Sequence, residues 1–172
     1  MVVLVLLVFN CSEDDTITPT LNTSEYFKYS INNGPERIFD TTVKGYYTSN
    51  TNNAYDKFSF RAGANSDSSV YVDGSFTFQD MTAFMNTSNF SWGVSNGVNA
   101  KFYFTELTPG YIFISEITNL PANPVECIVT VHPTNVGDYL EFTFQGEYIS
   151  AVGDLSQGTV SGSGRVYRLD DQ

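Results

Sequence analysis

Asp138-Tyr-Leu-Glu-Phe-Thr-Phe-Gln-Gly146, followed by Thr159-Val-Ser-Gly-Ser-Gly-Arg-Val-Tyr-Arg168, decides the fold. Leu140, Phe142 and Phe144 alternate with Glu141, Thr143 and Gln145, the pattern of a strand with one face in a core and the other in water. In the second stretch Val160, Gly162, Gly164 and Val166 share a face. Two glycines there leave space for large rings opposite, or let the strand bend. Working backwards, the same alternation returns in residues 126–132, 110–118, 100–105, 70–78, 57–62, 37–43 and 26–31. Asn32-Asn-Gly-Pro35 is a hairpin turn that folds 37–43 back onto 26–31, because Asn and Gly tolerate positive φ. One helical signal interrupts the series, Asp80 as a cap before residues 81–86. Strands spaced this regularly predict an all-β domain, an antiparallel sandwich of about 8–10 strands, with a small closed barrel as the alternative.

Upstream of the strands stands Met1-Val-Val-Leu-Val-Leu-Leu-Val-Phe-Asn-Cys11-Ser-Glu-Asp-Asp15. Nine apolar residues suit the apolar core of a signal peptide and are too few to span a bilayer. A short buried strand is the alternative reading of the same run. Cys11 with the acidic cluster behind it favours export: residues 1–10 as a signal peptide shortened at its N-terminus, 11–24 as a tether, and 25–172 as one domain. Thr16 to Ser24, rich in Thr and with one Pro, reads as an extended linker.

Cys11-Ser12-Glu13-Asp14-Asp15 resembles the head of surface-exposed lipoproteins of Bacteroidota. The tail is similar to that of small flavobacterial lipoproteins of unknown function, through Gly137-Asp-Tyr-Leu-Glu141 and the Val160-Ser-Gly162 strand. Phe142 departs from that pattern, where glycine is more usual. So does the head, with no basic residue before the apolar run and Phe9-Asn10 where small residues are preferred. The resemblance implies lipidation at Cys11, Ser12, Glu13, Asp14 and Asp15 as a surface-export signal, and a domain outside the outer membrane. It implies too that Asp15-Thr16-Ile17 is an O-glycosylation acceptor.

Formal net charge is −11, from 19 acidic and 8 basic residues. There is no basic stripe for nucleic acid and no polybasic segment for anionic lipid, so membrane attachment falls to acyl chains. No glycine pattern cradles a nucleotide, no Ca²⁺ loop is present, and one His with one remaining Cys does not make a zinc site. No cofactor and no metal are expected. Cys127 alternates with Val129 and Val131 and is expected on the core face as an inert thiol.

Gly93-Val-Ser-Asn-Gly97 matches a hydrolase elbow around Ser95, with His132 as the only available base, but the elbow requires a strand-to-helix turn that this context lacks. Glu106, Glu116, Glu141 and Glu147 supply carboxylates of the type glycosidases use, and outward-facing Glu on strands usually meets only solvent. Among the aromatics, Trp92, Tyr46, Tyr47, Tyr55 and Tyr103 fall in loops or off the core run. Rings with a polar edge are platforms for sugars or protein partners. The expectation is a non-catalytic binding or accessory module for glycans, with Trp92 and Tyr46 or Tyr47 lining a shallow groove. The alternatives are a structural subunit of an outer-membrane protein complex, and a small hydrolase.

Overall fold

The structure is a computed structural model, and it describes residues 24–50, 55–64, 67–93, 100–108, 111–113, 122–149 and 157–172. Its C-terminal pair pairs as its alternation requires. Strand β10 (Tyr139–Ile149) runs antiparallel to β11 (Gln157–Arg168), with Phe142 opposite Gly164 and Phe144 opposite Gly162. A Cβ at Gly164 would collide with the Phe142 ring, and one at Gly162 with the Lys28 carbonyl and the Phe144 ring. The missing side chains are therefore the room in which two phenylalanine rings and a neighbouring strand sit.

The other strands are β1 (Tyr26–Ile31), β2 (Arg37–Phe39), β3 (Thr41–Thr48), β4 (Asp56–Ala64), β5 (Asp67–Phe78), β6 (Asn89–Trp92), β7 (Lys101–Thr108), β8 (Tyr111–Phe113) and β9 (Glu126–Val131). Pairing runs β10–β9–β6–β7–β5–β4–β3–β11, and β11 returns to β10, so eight strands close a ring. All-β is what the alternation predicts, and the closed barrel is the architecture adopted. Closure rests on a short parallel contact, Tyr167 opposite Lys44 and Arg168 opposite Gly45. β1 fills the rest of that edge of β11, β2 pairs with β1, and β8 pairs with β7.

Local chemistry explains where the elements start and stop. Asn32 and Asn33 take the positive φ of the hairpin, 51° and 55°. Residues 37–43, expected as one strand, divide at Asp40; β2 stays with β1 while β3 leaves for β4, and Thr42, at φ 56°, sits where the register of β3 on β4 slips. Helix α1 (Met81–Asn86) starts at Asp80, whose side chain accepts from the Ala83 N–H at 2.7 Å. Cys127 is buried with Val129, but Val131 is 43% exposed, because the register with β10 slips between Glu141 and Phe142.

One hydrophobic cluster fills the ring, and 12 phenylalanines are buried in it. Outward positions on β3, β4 and β5 are Lys, Ser, Arg, Asp, Thr and Tyr. An apolar inside and a polar outside invert the arrangement of a membrane-spanning barrel. No helix among the described residues is long and apolar enough to cross a membrane.

Candidate functional site

With 12 phenylalanines buried inside the ring, an aromatic platform on the outside falls to tyrosine. The outward faces of β3, β4, β5 and β7 supply it. Their register aligns Tyr46, Ser59, Ser75 and Tyr103 as successive cross-strand neighbours. Two rings thus stand about 14 Å apart, three strand spacings, across a floor of two serines. The result is a groove of about 890 Å³, within the size range of small-ligand sites.

Ionic side chains flank the serine row. In the next register row Lys44 faces Arg61 and Arg61 faces Asp73. Asp73 holds Arg61 in a fork, at 2.6 and 2.8 Å, and the guanidinium carbon lies 4.2 Å from the Tyr71 ring centroid. On the other side of the serine row lies Lys57. Tyr103 is oriented by a hydrogen bond between its hydroxyl and that of Thr105. Along β3 the tail forms a side wall, as Leu169 N–H donates to Gly45 O and Gln172 N–H to Tyr47 O. Arg168 secures that tail, donating to Pro133 O, Thr134 O and the Asp171 carboxylate. The arrangement stacks flat apolar faces on rings, meets hydroxyls with hydroxyls, and offers cations at the rim.

Of the three aromatics expected to line a groove, one does. Tyr46 is in it. Trp92 is 2% exposed, edge-on to Phe102 and Phe104 inside the barrel, so it is not a surface platform. Asn89-Phe-Ser-Trp92 carried the signal: polar and apolar alternate, which places Phe90 and Trp92 on one inner face. Tyr47 follows Tyr46 directly and so points to the opposite side of the strand; it stacks on Phe78 and donates to Asp56. Tyr103, off the core run in the sequence, lines the groove, while Tyr71, Lys44 and Lys57 were not singled out. Cys11, Ser12, Glu13, Asp14, Asp15, Ser95 and Glu116 lie outside the described residues.

Among the described residues, Glu106, Glu141 and Glu147 do not assemble an acid–base pair. Glu106 shares the phase of Phe102 and Phe104 and faces inward, 1% exposed, contrary to the expectation of solvent contact. It accepts from Tyr29 and, through both oxygens, from Arg37. Glu141 pairs with Arg165, and Glu147 with Asn123. His132 bonds the Thr87 carbonyl at 2.9 Å and meets Phe84 edge-on, a structural placement. No three potential metal-ligating acidic, His or Cys side chains gather among the described residues. Burial pushes the Cys127 thiol well up.

Two phenols hold their protons unusually tightly. Burial, then the bond to Glu106, pushes Tyr29 far above its ordinary value; burial, then the bond to Asp56, pushes Tyr47 up to about 12. An unfolded chain releases such protons around pH 10, whereas the fold keeps them. Their contribution to stability is therefore full below about pH 10 and is lost as pH rises towards 12 and beyond. Chemical unfolding at a series of alkaline pH values should show this fall, and Tyr29→Phe with Tyr47→Phe should flatten it. An unchanged slope in the double variant would refute the assignment.

A comparison with known protein families, characterised proteins and solved structures finds no match to this chain.

Proposed function

We propose that this chain is a non-catalytic, saccharide-binding accessory module tethered to the outside of an outer membrane. Acyl chains on Cys11 hold it, Ser12, Glu13, Asp14 and Asp15 direct it outward, and residues up to Ser24 give it reach. Two or more chains are needed for lasting attachment, since one anchors only marginally. Confinement raises the local concentration of the module for its ligand. The observation that carries the reading is the serine-floored trough between Tyr46 and Tyr103.

The reading assigns no reaction to the groove. Its floor is hydroxyl, and Asp73, its carboxylate-bearing lining side chain, is already engaged by Arg61. The ligand is a chain segment rather than an enclosed small molecule, because the groove lies on an open sheet face and extends along the strands. Tyr46→Ala and Tyr103→Ala should each weaken saccharide binding by at least about tenfold, with the circular dichroism of the fold unchanged. Both variants binding like the parent in titration calorimetry would remove the groove from the account. Trp92→Ala does not test it, since that change empties the core. Envelope fractionation of Cys11→Ser tests the anchor separately, and a variant that sediments with membranes as before would refute it.

A further inference from the structure

The charges along the barrel's outer face point to the kind of saccharide. Among the described residues, five of the eight cations form ion pairs: Lys28 with Glu36, Arg37 with Glu106, Arg61 with Asp73, Arg165 with Glu141 and Arg168 with Asp171. Among those same described residues, Lys44, Lys57 and Lys101 have no carboxylate partner. Lys101 donates to Ser91 beyond the groove. The other two line it, on opposite sides of its serine row. Lys44 stands directly across from Arg61, a like-charge neighbour of a kind that destabilises a sheet. Asp73 is spent on Arg61 by its two-pronged bond, so it does not relieve Lys44.

We propose, resting on the saccharide reading above, that the groove selects an anionic saccharide, with Lys44 and Lys57 each receiving a carboxylate or sulfate while the sugar faces lie against Tyr46 and Tyr103. The charged lining side chains are Lys44, Lys57 and Arg61 against Asp73, a positive balance in a protein of net charge −11. The overall charge does not decide the outcome. At physiological ionic strength the screening length is about 8 Å, so acidic groups farther away are damped, and a contact ion pair at the rim is not. A repeating anionic polymer suits two lysines separated along one groove better than a single free anion does.

Titration calorimetry of the whole protein with EDTA present tests this, using a tetragalacturonide, its carboxyl-reduced neutral form, and a sulfated form of that neutral tetrasaccharide. Tighter binding of one or both charged forms by about tenfold or more is expected, falling as NaCl is raised; which of the two is preferred separates carboxylate from sulfate. Lys44→Gln with Lys57→Gln should erase the preference for the charged forms, whereas Tyr46→Ala should keep the preference and lower the affinity for charged and neutral forms alike. Equal binding of neutral and charged forms overturns the anionic assignment and leaves the saccharide reading standing. A preference that survives in the double lysine variant also overturns it. Binding of none of the three overturns the assignment and the saccharide reading together.

Discussion

Phe27→Ala is expected to destabilise the fold by about 4 kcal/mol, the upper part of the range for truncating a buried phenylalanine. Phe27 has no exposed surface, and its ring meets those of Tyr29, Phe39, Phe60, Phe104, Phe142 and Phe144 at centroid distances of 5.0 to 6.3 Å. Those rings belong to β1, β2, β4, β7 and β10, on different sides of the barrel. None can move into the vacated space without breaking the register of its own strand, so the cavity stays open. Against a total stability of roughly 5–15 kcal/mol, the loss is about a quarter of the whole or more. Urea unfolding should show a lower midpoint at unchanged slope, and Phe27→Leu should lose less than half as much. A deficit under about 1.5 kcal/mol would mean that the rings repack freely, against the rigidity of close-packed interiors.

Arg37→Met is expected to cost about 3 kcal/mol, the low end for breaking a buried ion pair by removing one partner. Glu106 is inside the barrel, and Arg37 reaches it from β2 with its own side chain half in solvent. Without the guanidinium, the carboxylate keeps one hydrogen bond, from Tyr29. Water entering past the shortened side chain limits the damage, hence the low end. Adding Glu106→Gln removes the unpaired charge while retaining an acceptor for Tyr29, and should recover most of the loss. A double variant as unstable as Arg37→Met would show that packing by the arginine stem, not the buried charge, accounts for the cost.

The fold was legible wherever residues alternate without interruption. Leu140, Phe142 and Phe144, the glycines opposite them and the Asp80 cap are where their local chemistry places them. What alternation does not contain is which strand pairs with which. Ring closure depends on two residue pairs between β11 and β3, so sandwich and barrel share almost the same local pattern. The site was legible in part. Tyr46 and Tyr103 stand out by their phase, but the serine floor exists only through the registers of four strands, and Ser59 and Ser75 look like ordinary outward residues. Trp92 and Glu106 were misplaced although alternation marks both as inward; composition (a lone tryptophan, a charged strand residue) outweighed phase.

Strand 157–168 touches β10 along one side and both β1 and β3 along the other. β1 therefore waits for a mate that is 129 to 139 residues away (31 to 160, 26 to 165). Entropy of so long a loop must be overcome before any contact repays it, and topologies of this kind mature slowly. A polypeptide emerging amino end first has no finished barrel to form until this keystone arrives. Up to that moment it presents raw sheet borders to its surroundings, the state in which chaperones and proteases find their substrates.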